Sequence, residues 1–305
     1  AVNSVLFVAG WVAFFLLGDS WYQLGVAAFL AVMFTQVAFV GHDAGHRQIF
    51  RSRRANDLVG LVHGNLMVGL SFGWWVAKHN KHHANPNHVG KDPDIGAGAL
   101  VYTAREAGLR RGAARLLTRS QAYLFFPMLL LEALNLHVSS LRALWGRPAR
   151  SRPAEALLLV LHVAGYATAL LLVLSPVKAL AFFALQQGLF GFYMGCSFAP
   201  NHKGMPIMED DDLDYLRKQV LTSRNVTGGR LVDWLLGGLN YQIEHHLFPS
   251  MPRPSLRRSK ALIQAYCHQH DLPYEQASLL GTYAEVLRHL RAVGEPLRPA
   301  RQPTS

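Results

Sequence analysis

The chain has 305 residues, of which 50% are hydrophobic and only 16% are charged, so it is more apolar than an average soluble domain. Its apolar residues are concentrated in blocks, which predicts a membrane protein, and its formal net charge is +11. Because the basic residues cluster between the apolar blocks, they indicate the cytoplasmic side of spans and disfavour nucleic-acid binding. The two cysteines form no C-x-x-C motif, which disfavours a disulfide framework and a thiolate metal site.

Four apolar runs predict membrane-spanning helices that pair into two hairpins. The runs cover residues 2–17, 24–40, 154–174 and 177–199. The second run, of 17 residues, would be about 26 Å long as a helix, which is just enough to cross. The chain begins inside the first run without an initiator Met, so we expect a trimmed start and not a signal peptide.

The segments outside the hairpins predict a helical cap on the cytoplasmic side. It comprises residues 41–153 and 200–294, with a Pro-rich tail at 295–305. Residues 58–75 are apolar but interrupted by glycines and polar side chains, which favours an interfacial or re-entrant element. Residues 123–138 form a short run with polar interruptions, which favours an in-plane amphipathic helix. The predicted fold is a single all-α integral membrane domain, residues 1–305, with four spans, a cytosolic helical cap and arginine-rich cytoplasmic segments such as 142–152.

Three groups of side chains recur at helical spacing. They are His42 and His46, then His79, His82 and His83, then Gln242, His245 and His246, while His202 adds a fourth segment. Each spacing places its members on one helix face, where imidazoles can bind zinc, copper, iron or nickel. Two hairpins would put all of them on one side of the membrane. Eight imidazoles exceed the four ligands of a tetrahedral zinc, which predicts two metal ions in a shared site, although histidines also serve as ordinary hydrogen-bonding side chains.

Several motifs together carry a family resemblance. They are His42-Asp43-Ala44-Gly45-His46, His79-Asn80-Lys81-His82-His83, Asn85-Pro86-Asn87, Lys91-Asp92-Pro93-Asp94, Asn201-His202 and Gln242-Ile243-Glu244-His245-His246-Leu247-Phe248-Pro249. With them the sequence resembles the membrane fatty acid desaturases that have a glutamine in the third histidine box. The resemblance implies a mushroom-shaped four-span fold with a cytosolic di-iron site. It also implies that the eight histidines are the metal ligands, with Gln242 either a ligand or directly behind them.

The resemblance further implies a reaction and partners. Two hydrogens would leave adjacent methylenes of a long acyl chain, carried as acyl-CoA or acyl-lipid. O2 and two electrons would be consumed, and a cis double bond and two waters would form. Relatives with this glutamine often carry a fused cytochrome b5 domain, which this sequence lacks, so we expect a separate ferredoxin or cytochrome b5 type donor with its reductase. A basic cytosolic surface would attract an acidic partner. The double-bond position does not transfer.

Other functions stay open at this point. A hydroxylase or related oxygenase could use the same scaffold and oxidant. The spacing of His42 and His46 superficially matches the H-E-x-x-H motif of zinc proteases, but that interpretation leaves six clustered histidines unexplained. A non-catalytic metal- or haem-binding membrane protein is a third alternative. His63, His137 and His162 lie in apolar runs without partners at ligand spacing, so hydrogen bonding in the core is favoured for them.

Acidic residues beside the boxes could orient ligand imidazoles. They are Asp43, Asp92, Asp94 and Glu244, although turn formation and helix capping explain the two loop aspartates equally well. Asn225-Val226-Thr227 matches the glycosylation acceptor pattern, but the predicted topology places it in the cytoplasm, so it should stay unmodified.

Overall fold

The structure, a computed structural model, describes residues 2–96, 98–145, 152–210 and 212–298. Its mostly helical content confirms the predicted helical class. The helices of the first half are α1 (Val2–Leu17), α2 (Gln23–Gly45), α3 (Arg53–Gly60), a π-helix (Leu61–Val68), α4 (Phe72–Ala84), α5 (Ala104–Leu109), α6 (Gly112–Leu129) and α7 (Glu132–Trp145). The second half contains α8 (Arg152–Val173), α9 (Pro176–His202), α10 (Tyr215–Leu221), β1 (Asn225–Thr227), α11 (Gly229–Leu235), α12 (Gln242–Leu247), α13 (Arg253–Gln269), β2 (Gln276–Ser278), α14 (Leu279–Gly294) and a 3-10 helix (Glu295–Leu297).

Three helices in the described part of the chain are long and apolar enough to cross a membrane, namely α2, α8 and α9. They coincide with the second, third and fourth predicted spans, and α9 continues beyond the predicted end to His202. Helix α1 fills the first predicted span but has only 16 residues. The count rises to five if each of two bent helix pairs is one span, so the four-span topology remains a prediction. Arg147, Arg150 and the tail from residue 299 lie outside the described residues.

The chain divides into two compact units whose segments alternate along the sequence. The first unit comprises residues 1–79, 129–197 and 249–255, and the second comprises residues 80–128, 198–248 and 256–305. In the first unit the turns of the two hairpins meet, because Asp19 accepts a hydrogen bond from the Ser175 backbone N–H and pairs with Lys178 at 2.9 Å. The two turns therefore lie on the same side, as paired hairpins require. The single domain remains a prediction.

Two predicted segments meet different outcomes. The π-helix and α4 are separated by a sharp bend of 112°, which agrees with the interruption expected over residues 58–75. The single in-plane helix expected over residues 123–138 is wrong, because α6 ends at Leu129 and α7 begins at Glu132. A Cβ on Gly191 of α9 would lie 2.6 Å from the backbone nitrogen of Ala133, so α9 packs directly against this break. Pro127 in the last turn of α6 is a helix-breaking residue that the sequence prediction did not use.

The second unit adds a small parallel sheet that the helical prediction did not include. Strand β1 pairs with β2, with Asn225 opposite Gln276. Beside the sheet, Val220, Ile243 and Cys267 form a buried apolar cluster. These contacts bring α10, α12 and α13 together, and α12 carries the third histidine box.

Candidate metal centre

The first cluster consists of His42, His46 and His79, all in the first unit. His42 lies in the last turn of α2, His46 caps that helix, and His79 comes from α4. The three ring centroids are 4.7–5.1 Å apart, and one ligand nitrogen from each ring lies within 4.8 Å of the others. The helical spacing of the first box therefore does place both of its imidazoles together.

Ring packing holds the first cluster in place. The indole of Trp75 stacks on the imidazole of His79, with centroids 4.5 Å apart and an interplanar angle of 25°, and it also contacts the rings of His42 and His46. Gly45 makes room for this indole, because a Cβ there would lie 2.5 Å from Trp75 Cζ3. The glycine of the first box is therefore explained by a close approach.

An ion pair lies behind the first cluster. Asp43 Oδ1 is 3.4 Å from His42 Nδ1, and Arg253 Nε lies 2.6 Å from the other carboxylate oxygen of Asp43. The guanidinium also lies over the ring of Phe39. Asp43 is therefore placed to orient His42, as the sequence suggested, and Arg253 was not anticipated.

The second cluster lies in the second unit and consists of His82, His83, His202, Gln242, His245 and His246. Three of its members, His82, His202 and His246, each have a ligand nitrogen within 4.8 Å of the others. The Nε2 atoms of His82 and His202 are 3.2 Å apart. His83 stacks on His246 with centroids 4.1 Å apart, and the ring centroid of His245 lies 4.8 Å from that of His83.

In His82, His202 and His246, the ring nitrogen Nδ1 donates to a hydrogen-bond acceptor. His82 Nδ1 donates to Asp92 at 3.0 Å, and His202 Nδ1 donates to the Thr222 carbonyl at 2.9 Å. His246 Nδ1 donates to Gln219 Oε1 at 2.8 Å. Because a neutral imidazole has one N–H, these bonds leave the Nε2 lone pairs of all three rings directed at one another.

This arrangement fits a metal ion. Two imidazole nitrogens bound to one first-row metal at about 2.0–2.1 Å would lie about 2.9–3.4 Å apart, and the observed 3.2 Å between His82 and His202 is in that range. Within the described part of the chain, Nε2 of the fully buried His246 has no hydrogen-bond partner, as expected for a nitrogen reserved for a metal. Burial lowers the pKa of His246 well below its usual value, which keeps the ring in the neutral form that binds metals.

Gln242 belongs to the second cluster. Its amide nitrogen is 2.8 Å from His202 Nε2, and its carbonyl oxygen accepts a hydrogen bond from Asn201 at 3.1 Å. Direct ligation and a supporting role are both compatible with this position. The structure thus collects all nine predicted ligands into two clusters, one in each unit, and the single shared site remains a prediction.

Further supporting residues were not predicted because they lie outside the boxes. Gln219 also donates to the His83 carbonyl at 2.9 Å, so one buried amide contacts two box residues. Asn225 accepts a hydrogen bond from the Ile243 backbone N–H at 2.9 Å and donates to Glu244, while Tyr274 donates to the same carboxylate. The glycosylation-like pattern was the only signal at Asn225, and this asparagine is 1% exposed. It stabilises the third box.

The three histidines in the apolar runs outside the clusters make hydrogen bonds to backbone carbonyls. His137 and His162 donate from Nδ1 to the carbonyls of Gly69 and Leu66, each at 2.9 Å, and His63 contacts the Val59 carbonyl. The expectation of core hydrogen bonds for these three is confirmed.

Asp92 accepts a hydrogen bond from His82, as the sequence analysis allowed. Burial opposes its charge, but the hydrogen bond from His82 counteracts burial, and the pKa of Asp92 lies below its usual value.

Comparison with known proteins gives consistent matches. The family model described as fatty acid desaturase matches residues 19–278. The chain is 31% identical over 294 residues to an acyl-lipid (9-3)-desaturase of Physcomitrium patens, covering 92% of this chain and 55% of the relative. It is 32% identical over 303 residues to fatty acid desaturase 3 of Bos taurus, with coverages of 94% and 65%. It is 32% identical over 260 residues to a Delta(8)-fatty-acid desaturase of Euglena gracilis, with coverages of 81% and 62%. The chain therefore spans about 55–65% of the length of these relatives.

Proposed function

The chain belongs to the fatty acid desaturase family, and we propose that it introduces a cis double bond into a long acyl chain. The substrate is an acyl-lipid or acyl-CoA, and the reaction takes two hydrogens from adjacent methylenes. O2, two electrons and two protons are consumed, and two waters are formed. Sequence, apolar helices and histidine clusters support a membrane enzyme of lipid metabolism whose site faces the cytoplasm.

One observation carries the proposal. Three imidazoles of the second cluster converge through Nε2 while each Nδ1 is bound to an acceptor, which is the arrangement of histidines that bind metal. Two irons would be held by the eight histidines, one by His42, His46 and His79 and the other chiefly by the second cluster. Iron bound there would activate O2 for attack on an unactivated C–H bond, with electrons from a separate ferredoxin or cytochrome b5 type donor.

The chain's own residues prepare this site. Asp92, the Thr222 carbonyl and Gln219 fix the tautomer and the ring orientation of the three imidazoles. The second cluster is almost completely buried, so bulk water is kept away from the reacting centre. Trp75 restricts the rings of the first cluster by stacking. Each residue contributes by orienting or shielding the donor atoms.

The substrate and bond position are open to experiment, because the relatives carry names that differ in both. The wild-type chain is to be expressed with a ferredoxin–reductase pair, followed by mass spectrometry of the host's fatty acid esters and iron analysis of the purified protein. New cis unsaturation and two irons per chain are expected. A hydroxylated acyl product would assign an oxygenase instead, and iron-loaded protein without any acyl product would contradict the proposal.

A further inference from the structure

The helix that carries the second histidine box begins at an unusual break. Between the π-helix and α4 the backbone leaves helical geometry, and Gly69 adopts a positive φ of 79°. The carbonyls of Leu66 and Gly69 accept hydrogen bonds from His162 and His137. Because unpaired backbone groups are strongly disfavoured among apolar helices, such a break persists only where side chains satisfy it.

The backbone N–H groups on the far side of the break are satisfied by side chains as well. The Ser71 N–H donates to Ser140 Oγ at 3.0 Å, and the Phe72 N–H donates to Asn65 Oδ1 at 3.0 Å. The Gly73 N–H donates to Glu155 Oε2 at 3.1 Å. These N–H groups belong to the start of α4, so the break and the beginning of this helix are held by the same set of contacts.

Glu155 stands out in this set because it is an acidic side chain near the start of an apolar span. It is 4% exposed, and its Oε2 also accepts from Ser71 Oγ at 2.7 Å and from Asn65 Nδ2 at 3.4 Å. The Ser71 hydroxyl oxygen in turn accepts from the Trp74 N–H at 3.2 Å. One carboxylate therefore engages the first turn of α4 directly and through Ser71, at the end where a negative charge favours a helix.

We propose that Glu155 is a positioning residue that sets the rotation of α4 about its axis and its position along that axis. In this way it also sets the positions of His79, His82 and His83, which α4 carries. This inference rests on the proposed function only for the identity of the metal. Helix α4 has 13 residues, and His79 lies six residues after Gly73, about 9 Å along the axis. Because a helix of this length moves as a rigid unit, a change at its first turn also moves the imidazoles near its C-terminal end.

The contact between Glu155 and α4 also depends on Gly73, which has no side chain. A Cβ at this position would lie 2.4 Å from Glu155 Oε1, and its three nearest neighbours would all be atoms of the Glu155 carboxylate. The carboxylate therefore occupies the space that any side chain at residue 73 would need. This predicts that a methyl group at residue 73 is harmful only while Glu155 is present.

The test is a double-mutant cycle on the full chain purified in detergent. The variants are Glu155→Ala, Glu155→Gln, Gly73→Ala and the double variant Gly73→Ala/Glu155→Ala. The matched control is Gly25→Ala, because a Cβ there would meet nothing within 4 Å. Each protein is loaded with Fe(II) and separately with Co(II), and bound metal per chain, metal dissociation rate, the Co(II) visible spectrum and the melting temperature are measured.

We expect Glu155→Ala and Gly73→Ala each to release metal about tenfold faster, in the range seen for outlying supports of metal ligands, and to alter the Co(II) spectrum. Glu155→Gln retains an acceptor oxygen and should lie between wild type and Glu155→Ala. The double variant should match Glu155→Ala, and Gly25→Ala should match wild type. If Glu155→Ala does not fold, the comparison of Glu155→Gln and Gly73→Ala with wild type decides.

Additive effects of the two substitutions, or unchanged dissociation and spectra in Glu155→Gln and Gly73→Ala, would overturn the inference. Neither result depends on turnover. A wild-type protein that binds metal but forms no double bond would remove the proposed function while leaving the positioning role of Glu155 testable by the same metal measurements.

Discussion

The two histidine clusters contain the same kind of side chain but are held differently. In the second cluster, three imidazoles donate to acceptors outside the boxes, from Asp92, Thr222 and Gln219. In the first cluster the indole of Trp75 stacks on His79, and Asp43 lies 3.4 Å from His42. Hydrogen bonds fix both the tautomer and the direction of a ring, whereas stacking restricts its plane. We therefore expect the second cluster to be the more sensitive to single substitutions.

The largest effect is expected from removing a ligand of the second cluster. His246→Ala deletes a nitrogen aimed at the cluster, so about half of the bound iron should be lost. Product formation should fall by more than about 100-fold, since even supporting partners of metal ligands contribute 10–100-fold. Iron analysis and fatty acid ester profiles measure both. His268→Ala, on an exposed histidine, is the control, and full activity in His246→Ala would remove this residue from the site.

Gln219→Ala should give the next largest effect. It removes the acceptor of His246 Nδ1–H and the donor to the His83 carbonyl, so metal affinity should fall about 10–100-fold. Gln219→Glu keeps the acceptor and should recover part of the loss. Competition with a metal chelator measures the affinity, and Gln269→Ala on the exposed end of α13 is the matched control. Unchanged metal affinity in Gln219→Ala would show that its hydrogen bonds do not make the second cluster more sensitive to substitution than the first.

Trp75→Ala tests how much ring stacking contributes to the metal affinity of the first cluster. Loss of the stacked indole frees the rings of His79 and His42, and the metal affinity of the first cluster should fall by about tenfold or less, below the effect at Gln219. Trp75→Phe retains an aromatic face and should be milder. The same chelator competition serves here. An effect larger than that of Gln219→Ala would reverse the proposed order of the clusters.

Gly45→Ala examines the close approach beneath the first cluster. A methyl group would lie 2.5 Å from Trp75, so overpacking should lower the free energy of unfolding by about 1–3 kcal/mol. The improved helix propensity of alanine offsets about 1 kcal/mol of this loss. Unfolding in detergent compares the variant with Gly25→Ala, which is expected to be neutral or slightly stabilising. A stabilised Gly45→Ala would contradict this packing.

The smallest effect concerns the start of α10, the helix that carries Gln219. Asp214 accepts from the Arg217 backbone N–H at 2.8 Å, and this bond, with the Arg217 side chain, holds the pKa of Asp214 below its usual 3.8. Its stabilisation is therefore present above that value and is lost as the pH falls through the lower folded pKa. The melting temperature difference between wild type and Asp214→Ala should shrink from pH 7 to pH 3. The melting temperature difference between Asp214→Asn and Asp214→Ala should not shrink in this way, because asparagine does not titrate. A difference between wild type and Asp214→Ala that grows in acid would contradict the assignment.

Sequence patterns predicted the clustering of the histidines better than the residues that support them. The spacing of His79, His82 and His83 predicts one helix face because the helical repeat is local, and α4 confirms the helix. Gln219 and Thr222 could not be foreseen, since their roles depend on contacts between segments far apart in the chain. Glu155 was passed over inside a strongly apolar run. The break after Leu129 had a local signal in Pro127 that the prediction passed over, whereas the packing of Gly191 of α9 against it could not be foreseen.

X-ray absorption at the iron edge of the purified, iron-loaded wild-type chain tests the central claim most directly. We expect two irons per chain with a shell dominated by imidazole nitrogen at about 2.0–2.2 Å, and a reduced imidazole contribution in His246→Ala. An iron shell without imidazole scattering, or a wild-type chain that binds no iron, would contradict the account.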